Sequence, residues 1–234
     1  MKAGIVMPAR NEVNSIGLVL DEIPMEQVAE VIVVDNGSSD ATAEVAKRHG
    51  ARVVEEPQPG YGIACLRGIG ALGDEADIVV ILDADHSDYP EDLGMILAPI
   101  IDGRADFVIG SRVAGSPEKG SLQWNQRFGN ALACSLIRWL YGVAFTDMGP
   151  FRAIRRAALA DLELSDPDYG WNAEMQVKAI IQRLSIEEVP VRYRKRIGRS
   201  KISGTVKGTI LAGIKIIGTI LRYYPRYSRL EKKA

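Results

Sequence analysis

Cysteine, phosphate-loop glycines and long apolar runs are scarce in this sequence, and each scarcity removes a class of protein. There are two cysteines, Cys65 and Cys134. Both sit in apolar helical patterns with no second Cys or His at metal-ligand spacing, so a disulfide framework and a thiolate metal centre are excluded and both thiols are read as buried. No Gly-x-Gly-x-x-Gly follows the first apolar run and no Gly-Lys-Ser/Thr occurs anywhere, which counts against dinucleotide binding and P-loop phosphoryl transfer. The opening residues MKAGIVMPARNE carry neither a long apolar run nor a small-residue cleavage site, so the chain is expected in a reducing, cytoplasmic compartment. Internal repeats and low-complexity linkers are missing as well.

What is present fits one α/β domain with an appendage. Of 234 residues, 47% are hydrophobic and 25% charged, ordinary values for a chain that folds around a sizeable core. The net charge of −1 conceals a segregation. From Arg192 onward there are 13 Lys and Arg against one acid, Glu231, so this tail carries about +12 and the preceding residues about −13. A basic tail suits phosphates, either of nucleic acid or of lipid headgroups.

Runs rich in β-branched residues alternate with helical patterns, the signature of a mostly parallel sheet built from βαβ units. Strands are expected at 3–7, 30–34, 52–55, 78–82 and 106–109, with helices at 13–22, 40–49, 61–72 and 90–101. A loop at 114–121 and a helix at 124–141 follow, then a short strand after Arg152, a helix at 172–183 and a last strand at 186–193. In such sheets ligands bind beyond the carboxyl ends of the strands. Those ends are polar here: Pro8-Ala9-Arg10-Asn11-Glu12, Asp35-Asn36-Gly37-Ser38-Ser39-Asp40, Asp83-Ala84-Asp85 and Gly110-Ser111-Arg112.

Two carboxylates two residues apart where a chain leaves the sheet can face one hard cation, so Asp83 and Asp85 are the candidate metal ligands, for Mg²⁺ or Mn²⁺. Asp35 could accept hydrogen bonds from a base or a ribose, and Asp40 reads as a helix cap. Glu12 either contacts a ligand or favours the helix dipole. Gly60-Tyr61-Gly62 opens a helix where backbone amides could approach a diphosphate.

The segment 208–224 (GTILAGIKIIGTILRYY) is apolar, interrupted by Lys215 and flanked by basic residues. It is short for a span, and a central Lys opposes insertion, so an interfacial helix is expected ahead of a core helix or a true span. Tyr223 and Tyr224, followed by Arg226 and Arg229, suit a headgroup boundary. The expected division is a catalytic unit at 1–204 and a membrane-associating helix and tail at 205–234.

The joint order Pro8-Ala9-x-Asn11-Glu12, Val34-Asp35-Asn36-Gly37-Ser38-Ser39-Asp40-x-Thr42, Leu82-Asp83-Ala84-Asp85 and Gly110-Ser111-Arg112 resembles the inverting family-2 glycosyltransferases of GT-A fold. Gly149-x-Phe151-Arg152 and Arg196-x-Gly198-x-Ser200-Lys201 resemble the polyprenyl-phosphate branch, such as dolichyl-phosphate mannose synthase. The resemblance implies an α/β GT-A (Rossmann-like) sheet with flanking helices. It also implies that Pro8, Ala9, Glu12, Asp35, Gly62, Ala84 and Arg112 help bind a nucleotide sugar, with Asp83 and Asp85 on its metal and diphosphate. Arg127, Arg152, Arg196, Ser200 and Lys201 would gather acceptor phosphate. Two departures bear on this: His86-Ser87-Asp88-Tyr89-Pro90 stands where the branch has Gln before His-Pro-Pro, and Met148-Gly149-Pro150-Phe151-Arg152 where it has Ser-Gly-Phe-Arg.

The implied reaction moves a hexose from a UDP-sugar or GDP-mannose to polyprenyl phosphate with inversion, at the inner face of a membrane. Asp85 and Arg127 would serve the chemistry directly. A hydroxyl acceptor, glycolipid or soluble, would need a base instead, for which Glu174 is the candidate. A metal-dependent nucleotidyltransferase is the nearer rival. Nucleic acid is disfavoured, because the basic run 194–201 lacks interleaved aromatics and the acidic strand ends repel phosphate. A homo-oligomer remains compatible with all of this.

Overall fold

The computed structural model describes residues 1–198 and 206–231. Seven strands form one sheet: β1 (Ala3–Ala9), β2 (Val28–Asp35), β3 (Arg52–Glu55), β4 (Ile78–Ile81), β5 (Phe107–Pro117), β6 (Arg152–Arg155) and β7 (Ile186–Tyr193), in the order β3-β2-β1-β4-β6-β5-β7. All neighbours pair in parallel except β6, which runs antiparallel to both β4 and β5. The helices are α1 (Ile16–Asp21), α2 (Thr42–Arg48), α3 (Tyr61–Ala71), α4 (Leu93–Ile101), α5 (Trp124–Tyr141), α6 (Arg156–Leu162), α7 (Trp171–Ile181) and α8 (Val206–Glu231).

The apolar strands are covered on both faces. Along β2, Ile32 and Val34 join the layer that includes α3, α5 and α7, whereas Val31 and Val33 face the layer of α1, α2 and α4. That two-residue alternation within an unbroken apolar run is what a doubly covered parallel strand requires. The register also sets the site. Val6 lies opposite Ile81 and Ala9 opposite Asp35, so the polar segments after β1, β2 and β4 leave the sheet along one edge.

Two elements differ from expectation. The stretch read as a loop from Ala114 continues β5 to Pro117, pairing Ser116 with Arg192 and Pro117 with Tyr193 after a register shift. Its polar composition hides a strand whose partner is β7. At Gly115 an added Cβ would meet the carbonyl oxygen of Val191 at 1.9 Å, so only glycine allows that approach. Helix α6 follows β6 directly, where no element was expected.

The C-terminal helix is longer than the apolar segment suggests and is packed into the domain. Ile220 is fully buried, and the Tyr141 hydroxyl donates to its carbonyl at 2.6 Å. Tyr223 and Tyr224, expected at a headgroup boundary, turn inward. The Tyr223 hydroxyl donates to Glu174 at 2.6 Å, and Tyr224 meets the edge of the Tyr141 ring at 5.8 Å. Lys215, which interrupts the apolar run, pairs with Asp166 at 3.5 Å. The boundary expected at 204/205 lies outside the described residues. Among the described residues, no helix is long and apolar enough to cross a membrane.

Candidate active site

A cleft of about 540 Å³ opens at the carboxyl edge of β1, β2 and β4. Pro8, Ala9 and Glu12 line one wall, Asp83, Ala84 and Asp85 the floor, and Arg196 closes it from the far side. Two backbone turns make this possible. Asn11 and His86 adopt left-handed φ values of 53° and 62° just beyond β1 and β4, a conformation that asparagine and histidine tolerate better than most residues. The Asn11 side chain then accepts the Ser39 N–H at 2.7 Å, tying the segment after β1 to that after β2.

The floor carboxylates are held differently. Asp85 accepts the Ser87 N–H at 2.9 Å and the Ser87 hydroxyl, and its other oxygen pairs with the Arg196 guanidinium at 3.1 Å. Arg196 also reaches Glu12 at 3.4 Å. Asp83 accepts the Tyr61 hydroxyl at 3.2 Å. Burial, and then the negative charge of Asp85, push the Asp83 carboxyl up to about 7. A group that resists ionisation beside a second carboxylate is one that a cation would relieve. Oxygen donors of this kind fit a hard divalent ion. The residues directly after Asp85 are engaged within the chain. The Ser87 hydroxyl is engaged by Asp85, the His86 ring contacts Glu22 at 2.9 Å, and the described residues contain no cluster of three such ligands. The remaining coordination positions would fall to diphosphate and water.

Asp88 is buried, and neither of its carboxylate oxygens has a hydrogen-bond partner. Burial, with the negative charges of Asp83 and Asp85 nearby, raises it well above the ordinary aspartate value.

A second pocket of about 320 Å³ shares Tyr61, Asp83, Asp85, Tyr169 and Arg196 with the first and extends between α5 and α8. Its walls are apolar: Leu132 and Ala133 from α5, Met148 and Pro150 from the segment before β6, Ala212, Ile216 and Ile217 from α8. Asn125, Asn130 and Asn172 punctuate them.

Several expected site residues are placed elsewhere. Asp35 accepts the Ser38 N–H at 3.0 Å while its neighbour Asn36 lines the cleft. Asn36 is one of the lining residues missed from sequence. Its amide donates to Glu56 and Gln58 carbonyls at 2.9 and 2.7 Å and accepts the Gly60 N–H at 2.9 Å, fixing the segment that borders the cleft. Gly62 is the contact point for another segment, where an added Cβ would meet the Asp166 carbonyl oxygen at 1.9 Å. A Gly62→Ala protein should therefore lose about 1–3 kcal/mol. It should also bind nucleoside diphosphate more weakly, because Asp168 and Tyr169 of the displaced segment line the cleft; thermal melts and a UDP titration measure both. Asp40 accepts the Thr42 N–H at 3.0 Å, satisfying the first turn of α2 from one residue before the expected position.

The expected cations also separate. Arg112 lines the second pocket, but Asp147 engages it through two bonds of 2.8 Å from its guanidinium. Arg152 is wholly buried, donates to the carbonyls of Gly149 and Asn172, and is pulled down to about 10 by burial; it lines neither compartment. Arg127 is exposed on the outer side of α5. Ser200 and Lys201 lie outside the described residues. Glu174, the candidate base, is buried in a structural cluster, accepting the Ser165 and Asp166 N–H groups at 3.0 and 2.7 Å and pairing with Lys178 at 3.0 Å. A carboxylate walled in by these partners has no access to an acceptor. Tyr61, Asp168, Tyr169 and Asp147 join the site without having been expected. Tyr61 alone had a signal, standing between the two glycines.

Comparison with known proteins agrees with this geometry. Residues 4–163 match the family model described as glycosyl transferase family 2. An uncharacterized glycosyltransferase of Mycobacterium tuberculosis is 39% identical over 211 residues, covering 89% of this chain and 93% of its own. A dolichyl-phosphate hexose transferase of Haloferax volcanii is 34% identical over 210 residues, covering 88% and 89%. The crystal structure of glucosyl-3-phosphoglycerate synthase from Mycobacterium tuberculosis with Mn²⁺, UDP-glucose and phosphoglyceric acid aligns with a TM-score of 0.76 at 26% identity, covering 96% of this chain and 80% of that one.

Proposed function

From the premise that the chain belongs to glycosyl transferase family 2, a family of GT-A fold, we propose that it transfers a hexose from a nucleotide sugar to a polyprenyl phosphate, inverting the anomeric carbon. The observation that carries this reading is the pair of compartments meeting at Asp83 and Asp85, one polar at the strand ends and one apolar between α5 and α8. The polar cleft has the wall for a nucleoside diphosphate. The apolar pocket suits a hydrocarbon chain, with its phosphate at the junction beside Arg196.

Pro8 and Ala9 would pack against the nucleoside, and Asp83 and Asp85 would hold a divalent ion, Mg²⁺ or Mn²⁺, against the diphosphate. When bound, that ion neutralises the charge that grows on the departing nucleoside diphosphate. In one in-line displacement a phosphate oxygen of the acceptor forms the new bond to the anomeric carbon. The bond to the diphosphate breaks, and its electron pair leaves with the nucleoside diphosphate. Arg196, anchored on Asp85 and Glu12, is positioned to bring positive charge to either phosphate. A lipid phosphate arrives ionised and needs no base, which agrees with Glu174 lining neither compartment.

The glucosyl-3-phosphoglycerate synthase neighbour favours a second reading, a small phosphorylated hydroxyl acid as acceptor. Against it, the only carboxylates on the described wall of the second pocket are Asp83 and Asp85, and the only cations are Arg112 and Arg196. That leaves no free base on the described wall of that pocket. Radiolabelled UDP-glucose and GDP-mannose, each offered with polyprenyl phosphate or 3-phosphoglycerate and Mn²⁺, separate the two. Label in the organic phase with polyprenyl phosphate is the expected result; label confined to water-soluble glycosyl phosphoglycerate would overturn it.

A further inference from the structure

We propose that the outer face of α5, with the adjoining flank of α8, is a docking surface for an anionic lipid bilayer. On α5 the inner face (Ala133, Cys134, Ile137 and Tyr141) is buried in the core. The outer face carries Trp124 at 81% exposure, Phe128 at 66% and Trp139 at 79%. Isolated exposed hydrophobics are unremarkable on a soluble protein, but three aromatics on one helix are not scattered. Trp124 and Trp139 are fifteen positions apart, which on an α-helix is about 60° of rotation and about 22 Å of length, so a helix lying flat presents both to one plane. Amphipathic aromatic rings of this kind sit at the level of lipid headgroups.

The charge on the same surface selects the partner. Helix α5 contains no Asp or Glu and carries Arg127 and Arg138 beside the aromatics, both exposed. Helix α8 carries Arg222, Arg226 and Arg229 on exposed positions, and its single acid is the terminal Glu231. A uniformly cationic, aromatic face complements anionic headgroups.

The face is continuous with the mouth of the apolar pocket. Asn125 of α5 and Thr209 of α8 approach to 3.4 Å, and the two helices wall the pocket together. On the α8 side of that mouth Ile210 and Ile214 are exposed. Docked in this way, the pocket opens into the headgroup plane, where a lipid phosphate would enter. Arg127 then meets headgroups rather than the reacting phosphate. Lipid delivery rests on the acceptor assignment above, whereas docking itself does not.

The test is co-sedimentation of the full chain with vesicles of phosphatidylcholine alone or with 30% phosphatidylglycerol, without donor or acceptor. Wild type should sediment with the anionic vesicles. A Trp124→Ser/Phe128→Ser/Trp139→Ser protein should bind at least about tenfold more weakly, with an unchanged thermal melt because these side chains are exposed. Brominated lipid should quench the tryptophan emission of wild type, since Trp171, the third tryptophan, is fully buried. The proposal fails if neither vesicle binds, if the triple variant binds as wild type, or if the face instead drives a concentration-dependent dimer that the triple variant abolishes. Vesicle binding without glycosylation of polyprenyl phosphate would uphold the docking surface and remove only the acceptor assignment.

Discussion

Sugar transfer by an Asp85→Asn enzyme should fall about a thousandfold with little change in folding. A single preorganised electrostatic group at a developing charge is worth about 10²–10³ in rate, with loss of cation binding setting the upper end. The substitution is sterically neutral, and the asparagine oxygen can still accept from Ser87, so the melting temperature should move by only a few degrees. Two readouts separate this from a general defect. A nucleoside diphosphate should stabilise wild type in thermal shift only when Mn²⁺ is present, and that dependence should vanish in Asp85→Asn. Arg196, losing its partner at 3.1 Å, should be held over the floor by Glu12 alone, so residual activity should show a raised KM as well. An Asp83→Ala/Asp85→Ala protein that transfers sugar at the wild-type rate would remove the mechanism altogether.

That pair was legible in the sequence because its signal is local. An apolar run ending in Asp-x-Asp places both carboxylates where the chain leaves the sheet, and the parallel order of β1, β2 and β4 sets Pro8, Ala9 and Glu12 beside them. Three elements were legible to the residue, Arg52–Glu55, Trp124–Tyr141 and Ile186–Tyr193. What sequence could not supply was partner choice. Arg112, Arg127 and Arg152 are chemically equivalent in a string of letters, yet one is engaged by Asp147, one faces solvent and one is buried against carbonyl oxygens. Glu174 looked like a helix-surface carboxylate or a base, and instead it is buried where the 165–166 segment and α8 close over it. Likewise the apolar C-terminal segment could face lipid or core. The register of Ile220 and Tyr223 against Tyr141 and Glu174 commits one side of it to the core. The exposed aromatic face was less visible still, since it lies on α5, whose apolar content suggests an ordinary packed helix.

An Asp147→Asn protein should be destabilised by about 3–4 kcal/mol, or about 10 °C in melting temperature for a chain of this size. Asp147 is completely buried and Arg112 nearly so. Burial alone would raise the Asp147 carboxyl, but the guanidinium against it holds it below the ordinary range. Asparagine leaves that guanidinium buried without its charge partner, and this, rather than the loss of one attraction, is the larger cost. The sign of the pH dependence follows. A depressed carboxyl contributes stability that is fully present above the unfolded-state value, about 3.9 for Asp, and is lost as pH falls through the folded value. The gap in melting temperature between wild type and Asp147→Asn should therefore be constant near neutrality and shrink below about pH 4. An Arg112→Met/Asp147→Leu protein distinguishes stability from function. Apolar replacement of a buried ion pair is often neutral or stabilising, so the double variant should melt well above Asp147→Asn, short of wild type by the Arg112 backbone N–H that loses Asp147 as its acceptor. Transfer should remain impaired, because Arg112 lines the pocket at the junction and also stacks over the Tyr193 ring at 5.1 Å. Full activity in that double variant would show that the ion pair serves the fold alone.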